Sequence, residues 1–129
     1  MSNKQEKIHS SPSRLSSFRF AIRGIRRAWQ AEPNIRIQLV CLVIALLGGI
    51  LLKISAGEFA LLVLASAVVL AAEIFNTAIE TLTDLASPEI HPLAERTKDM
   101  AAAGVLLSSI AAAIIGCIIF LPKLWVYLP

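Results

Sequence analysis

Four polar side chains recur with the period of a helix at the end of a long apolar run. They are Glu73, Asn76, Glu80 and Asp84, at spacings of 3, 4 and 4 residues. At about 100° per residue, this spacing gathers them within about 80° of a helix perimeter, one above another. We call these four residues the polar stripe. Their common face predicts one shared site rather than four independent surface groups.

The depth of Glu73 in a membrane is the most informative feature of the stripe. If the part of the helix within the hydrocarbon begins at Phe59, about twenty residues span the bilayer and it ends at about Ala78. Glu73 then lies about 8 Å inside the cytosolic boundary of the hydrocarbon. A charge costs up to about 2.5–3.5 kcal/mol at the bilayer centre and less near its edge. A surface acid reaching for the headgroups explains Glu80 or Asp84 taken singly. It explains Glu73 and Asn76 poorly, because their side chains are short.

The segment after the stripe exposes further polar groups. It contains Pro88 and Pro92, which stiffen it, and between them Glu89 and His91. Pro92 suits the first position of a new helix. That helix opens with Glu95, Lys98 and Asp99. Lys98 and Asp99 are either part of the site or an ordinary interfacial charge pair.

Acidic side chains dominate this side of the chain. The carboxylates are Glu32, Glu73, Glu80, Asp84, Glu89, Glu95 and Asp99. They bind an anion poorly unless a divalent cation joins them, and oxygen-rich sites favour Mg²⁺, which proteins commonly share with nucleotide phosphates. This indicates phosphoryl transfer to a lipid headgroup, with an acid accepting a hydroxyl proton. The chain has no GxxxxGK[ST] phosphate loop, no HRD-type catalytic loop and no zinc-type spacing.

The composition supports a membrane location. Of the 129 residues, 57% are apolar and only 16% are charged, against roughly 25% charged in soluble domains. A soluble chain this short cannot bury so much apolar side chain. The net charge of +3 does not indicate nucleic-acid binding, because the basic residues are not set on a soluble fold. Cys41 and Cys117 lie in apolar runs and are predicted to be small buried hydrophobic residues.

The hydrophobic pattern predicts an all-α membrane protein with a single domain over 14–129. A disordered tail covers 1–13, and 14–31 forms an amphipathic surface helix with an Arg-rich polar side. Three spanning helices follow at about 35–54, 59–85 and 100–121, the last closed by Pro122 and Lys123. Trp125 and Tyr127 are predicted interfacial aromatics.

The basic residues predict the orientation. Eight of the twelve Lys and Arg residues precede residue 37. The positive-inside rule therefore places the amino terminus and the 85–99 loop in the cytosol and the carboxy terminus outside.

The motifs around the stripe resemble the bacterial integral-membrane diacylglycerol kinase and undecaprenol kinase family. The residues are ExxNxAIExxxD from Glu73 to Asp84, then His91-Pro-Leu-Ala and Lys98-Asp99-Met-Ala-Ala. The likeness extends from about Arg14 to Lys123. It implies a homotrimeric kinase of the bacterial inner membrane that transfers the γ-phosphoryl group of ATP to a lipid alcohol.

The resemblance also implies roles for individual residues. Glu73 matches the catalytic base, and Glu32 and Glu80 match the acids that hold magnesium with the nucleotide. The remaining ATP-binding positions match Asn76, Asp84, Glu89, His91, Lys98 and Asp99. The lipid-binding positions match Arg26, Trp29, Arg36, Gln38 and Ala102, beside Glu73.

Three positions depart from the Gram-negative diacylglycerol kinases. Gln38 and Ala102 replace an acid and a serine, and Phe20 replaces a tyrosine. The segments KDMAAAGVLL and IIGCIIFLPKL look more like the Gram-positive undecaprenol kinases. The resemblance therefore favours a polyprenol acceptor over diacylglycerol.

A different function remains to be weighed, that of a small oligomeric transporter or channel that uses the acids as a cation path. Such a path needs polar groups towards both faces of the membrane. The second span has no ionisable side chain between Phe59 and Ala72, whereas a kinase needs polarity only at the cytosolic end. The pattern therefore favours the kinase.

Overall fold

The computed structural model describes residues 14–126, which form four α-helices. They are α1 (Arg14–Ala31), α2 (Pro33–Leu51), α3 (Ala56–Ala86) and α4 (Pro92–Trp125). The predicted all-α architecture is confirmed over this range, and α2, α3 and α4 are each long and apolar enough to cross a membrane. The predicted tail 1–13 and the aromatic Tyr127 lie outside the described residues.

The lengths of the helices differ in a way that matters for the site. α2 has 19 residues, whereas α3 has 31 and α4 has 34. At 1.5 Å per residue, α3 and α4 are about 46 and 51 Å long, well beyond the hydrocarbon thickness of about 30 Å. If both helices start at the same membrane level at one end, they must project from the membrane at the other.

The turn between α2 and α3 defines that shared level. The helix α2 ends at Leu51, three residues before the predicted end at Ile54. The chain turns back because Lys53 adopts a left-handed conformation (φ 51°), and the Ile54 N–H donates to the Gly49 carbonyl at 3.0 Å. This is the pattern of a Schellman C-terminus. A side chain on Gly49 would clash with Ile54, since an added Cβ would lie 2.6 Å from Ile54 Cδ1.

An ion pair ties the start of α3 to the end of α4. Ser55 and Glu58 form a reciprocal capping box at the start of α3. The second Glu58 oxygen, Oε1, accepts from Lys123 Nζ at 2.7 Å. The two long helices are therefore level at this end, and their excess length lies at the other end, where the polar stripe is found.

The end of the last span differs from the prediction. Pro122 lies inside α4, which continues to Trp125 rather than closing at Pro122 and Lys123. A proline removes one backbone hydrogen bond and need not end a helix whose other bonds remain. Here α4 gains one further turn, and Lys123 lies in that turn within reach of Glu58.

The helix α3 is the centre of the fold, packed chiefly against α4, then α2, and also α1. The most buried described side chains are Ala28, Ile35, Leu62, Val69, Glu73 and Ile119. Most large apolar side chains of α2 to α4 are exposed, as expected for helices that face lipid or another membrane-embedded chain. Cys41 and Cys117 are also exposed. The prediction that they are buried was wrong, because apolar runs here face outward.

The amphipathic helix α1 leaves its apolar face uncovered. The five large apolar side chains of this face are all exposed, from 79% at Leu15 to 44% at Trp29, with Phe18, Ile22 and Ile25 between them. At its end, the Glu32 N–H donates to the Ala28 carbonyl at 2.9 Å, and Pro33 then begins α2. The uncovered apolar face is compatible with the predicted position at the membrane surface.

Candidate active site

Glu73 is the one buried charged side chain in the described part of the chain, with 3% of its surface exposed. It continues the face of α3 that carries the buried Leu62 and Val69, at spacings of 7 and 4 residues. The other members of the stripe are more accessible towards the carboxyl end of α3, and the Asp84 side chain is 66% exposed. The stripe therefore passes from the protein interior to the surface.

The Glu73 carboxylate meets one side chain of the neighbouring helix α2. Gln38 Nε2 donates a hydrogen bond to Glu73 Oε1 at 3.3 Å. The Glu73 backbone carbonyl accepts from the hydroxyl of Thr77 at 3.0 Å, which satisfies that hydroxyl within the helix. Within residues 14–126, no ion pair to Glu73 is found, and the hydrogen bond from Gln38 engages Oε1 and not Oε2.

Glu73 lies in a cleft of about 510 Å³ between the α1–α2 junction, α3 and α4. We call it the polar cleft. Its lining includes six predicted site residues, namely Glu32, Gln38, Glu73, Asn76, Glu80 and Ala102. Residues more than sixty positions apart in the sequence are thus brought around one space. The predicted base, the two predicted metal ligands and two predicted lipid contacts share it.

Glu80 is positioned by the residue one turn before it. Asn76 Nδ2 donates to Glu80 Oε1 at 2.9 Å, while the buried Asn76 Oδ1 has no partner among the described residues. Glu32 reaches the same cleft because it is the extended residue between α1 and α2. Beside it, the Arg36 guanidinium donates to the carbonyls of Trp29 and Gln30 at 3.1 and 3.3 Å, which links the start of α2 to the end of α1.

A second cleft of about 370 Å³ lies at the connector between α3 and α4. We call it the connector cleft. Among its lining residues are four predicted ATP ligands, Asp84, Glu89, His91 and Lys98. Lys98 pairs with Asp84 across the two helices, not with its neighbour Asp99. His91 caps α4, its Nδ1 accepting from the Leu93 N–H at 3.2 Å, and Pro92 begins the helix as predicted.

Four predicted site residues line neither cleft. These are Arg26, Trp29, Arg36 and Asp99. Three of them lie on or beside α1, and Arg36 interacts through its guanidinium with the last carbonyls of that helix, a common way to satisfy them. Asp99 is exposed at the start of α4. The single chain does not bring these side chains into the polar cleft.

An apolar groove of about 350 Å³ continues from the polar cleft along α2, α3 and α4. The two spaces share Ile37, Gln38 and Ser109 as lining residues. Beyond them the groove is lined mainly by small and aliphatic side chains, such as Ala45, Ala65 and Ala112. A molecule with a polar head and a hydrocarbon chain fits a polar cleft that continues into an apolar groove.

Sequence reasoning missed several residues of the polar cleft. These are Asn34, Ile37, Val105, Leu106 and Ser109. Ser109 was within reach of prediction, because it follows Ala102 by seven residues and so shares its helix face. Nothing in the local sequence marks Ile37 or Val105, which are ordinary apolar residues of their helices.

The oxygen donors of the polar cleft fit a magnesium ion that is shared with a nucleotide. Within residues 14–126, no three His, Cys, Asp or Glu side chains converge as a metal site. Glu32, Glu80 and the unpartnered Asn76 Oδ1 are nevertheless oxygen donors on one cleft. Mg²⁺ typically takes one or two carboxylates and completes its shell with phosphate oxygens and water.

Fold and site together define a multi-pass membrane protein with an acidic cleft between its helices. Residues 19–120 match the prokaryotic diacylglycerol kinase family. The chain is 39% identical over 115 residues to the diacylglycerol kinase of Synechocystis, and the alignment covers 88% of this chain and 66% of that protein. It is 37% identical over 110 residues to the undecaprenol kinase of Bacillus subtilis, covering 85% and 89%.

A third relative is the diacylglycerol kinase of Escherichia coli K12, 35% identical over 100 residues and covering 78% of this chain and 82% of that protein. The chain belongs to the prokaryotic diacylglycerol kinase family, a family of lipid kinases. The predicted resemblance is confirmed. Kinases of this family use ATP, and their members are named for either of two acceptor lipids.

Proposed function

We propose that the protein transfers the γ-phosphoryl group of ATP to a membrane lipid alcohol, with Glu73 as the general base. The observation that carries this proposal is the burial of Glu73 in the polar cleft, hydrogen-bonded to Gln38, which lines both the polar cleft and the apolar groove. A lipid with its chain in the groove brings its hydroxyl to the free oxygen of Glu73. Among residues 14–126 no cation pairs with the Glu73 carboxylate, so it is available to accept the proton of the hydroxyl.

The reaction balances with these groups. The lipid hydroxyl oxygen attacks the γ-phosphorus, its proton passes to Glu73, and the bond to the bridging oxygen of ADP breaks. Glu32 and Glu80 would hold magnesium together with the nucleotide, and the ion would supply positive charge to the phosphates. Asn76 orients Glu80, and Lys98 with Asp84, Glu89 and His91 forms the part of the site that receives ATP.

The longer protrusion of α3 and α4 supports this layering. If the ends joined by Glu58 and Lys123 lie at the outer boundary, Glu73 is about 22 Å along the α3 axis and Asp84 about 39 Å. With hydrocarbon about 30 Å thick, Glu73 meets lipid and the connector cleft meets water. We propose accordingly that the amino terminus and the connector face the cytosol and that the carboxy terminus faces outward.

We further propose a polyprenol such as undecaprenol as the acceptor, and a homotrimer as the assembly. The acceptor rests on the likeness of the α4 segments to undecaprenol kinases. Exposed apolar side chains on all three long helices are compatible with contacts between copies. The predicted lipid contacts of Arg26, Trp29, Arg36 and Ala102, and the contact of Asp99 with ATP, belong to the same proposal.

The deciding experiment offers labelled ATP and Mg²⁺ to the purified protein in detergent micelles. Undecaprenol and diacylglycerol are presented in separate reactions at equal mole fraction. We expect phosphorylated lipid in both or in undecaprenol alone, with the higher kcat/KM for undecaprenol. No transfer to either lipid would contradict the kinase proposal, and a preference for diacylglycerol would contradict the choice of acceptor.

A further inference from the structure

Gln38 is an amide side chain on α2 that contacts Glu73 across the interface with α3. Its Nε2 donates to Glu73 Oε1 at 3.3 Å, and the reverse orientation of the amide would set two oxygens against each other. We propose that Gln38 is a positioning residue, which holds one oxygen of Glu73 so that the other faces the acceptor hydroxyl. This inference rests on the proposed function and adds to it a group that orients the base.

Three other donors near the site are engaged elsewhere. The Arg36 guanidinium donates to the Trp29 and Gln30 carbonyls, Lys98 pairs with Asp84, and the Asn76 amide donates to Glu80. Across residues 14–126, the hydrogen bond from Gln38 is the one that the Glu73 carboxylate receives from a side chain. The orientation of the carboxylate of this buried residue therefore depends on Gln38.

An amide suits this position for a chemical reason. A lysine or arginine here would form an ion pair with Glu73 and weaken it as a proton acceptor. An amide donates a hydrogen bond without carrying charge, so the carboxylate is oriented and stays available as a base.

The second atom of the amide gives independent support. Gln38 Oε1 is buried and has no hydrogen-bond partner in the described part of the chain. A buried acceptor left without a partner is costly, and Gln38 lines both the polar cleft and the apolar groove. A hydroxyl group or water that enters the cleft with the lipid would supply the missing donor.

Among the described residues, only two other titratable side chains line the polar cleft with Glu73, which makes the pH dependence of Gln38 variants interpretable. Glu32 comes from the α1–α2 junction and Glu80 from α3 itself. The helix α4 contributes Ala102, Val105, Leu106 and Ser109, none of which titrates. Both titratable neighbours are unchanged in variants of Gln38, so a new pH dependence reports on position 38.

The test compares Gln38→Leu and Gln38→Glu with wild type under saturating ATP, Mg²⁺ and lipid. Gln38→Leu keeps the approximate volume and removes the donor. We expect kcat to fall about tenfold to a hundredfold, with KM for ATP within about twofold. A carboxyl group in Gln38→Glu donates only while it holds a proton. Its rate relative to wild type should therefore fall with rising pH, approaching about tenfold per pH unit.

The matched control is Gln30→Leu, the same chemical change on α1, which leaves the backbone carbonyl bonded to Arg36. Its rate and pH profile should match wild type. Wild-type kcat in Gln38→Leu, or a ratio of Gln38→Glu to wild type that is constant with pH, would overturn the inference. If Gln38→Leu melts early, the pH profile of Gln38→Glu decides alone. A wild type that phosphorylates no lipid alcohol overturns the kinase proposal and this inference together, an outcome distinct from equal activity of wild type and variants.

Discussion

Replacing Glu73 with glutamine separates the chemistry of the carboxylate from its packing. The variant keeps the shape of a side chain that is 3% exposed, and its Oε1 can still accept from Gln38 Nε2. No ion pair of Glu73 is lost within residues 14–126, so we expect the free energy of unfolding to fall by no more than about 1 kcal/mol. Loss of a general base should lower kcat by about 10²- to 10⁴-fold, which corresponds to about 3–5 kcal/mol of barrier.

The assay is the initial rate of lipid phosphorylation in micelles at saturating ATP and Mg²⁺, with thermal unfolding followed in the same detergent. The matched control is Glu58→Gln, the same change at the opposite end of α3, which should retain the wild-type rate. A Glu73→Gln variant that melts like wild type and keeps its kcat within tenfold would refute the assignment of Glu73 as the base.

Three further predictions concern the connector, the metal and the outer ion pair. Lys98→Ala should raise KM for ATP by about tenfold or more and leave KM for lipid within twofold, because it removes a charged hydrogen bond at the connector cleft. Equal effects on both constants would argue against separate levels for ATP and lipid. Chelation of divalent cations should abolish turnover and added Mg²⁺ should restore it, while Glu80→Gln should raise the Mg²⁺ concentration needed for half-maximal rate; activity that persists in chelator would exclude this metal role. Lys123→Met should lower the thermal unfolding midpoint without changing kcat, because Lys123 pairs with Glu58 far from the polar cleft; a loss of kcat at unchanged stability would contradict a purely structural pair.

Helix number, type and approximate position could be predicted from the sequence because they depend on local pattern and membrane thickness. The bounds predicted for α1, 14–31, agree with Arg14–Ala31. The last helix was predicted to begin at Pro92 and does so, whereas its membrane span was predicted only from 100. The prediction counted the residues that fill hydrocarbon, but a helix capped by His91 continues into water. The end of α2 at Leu51, before the predicted end at Ile54, could not be predicted, because no common sequence signal marks Lys53 for the left-handed conformation.

The stripe of Glu73, Asn76, Glu80 and Asp84 was readable because helical periodicity alone places four residues on one face. Contacts between helices were not readable in this way. Gln38 meets Glu73 across 35 positions of the sequence, and Lys123 meets Glu58 across 65. Lys98 forms an ion pair with Asp84 rather than with the adjacent Asp99. Periodicity defines the face of each helix, but only the packing of α2 and α4 against α3 fixes how those faces are turned and which side chains share the polar cleft.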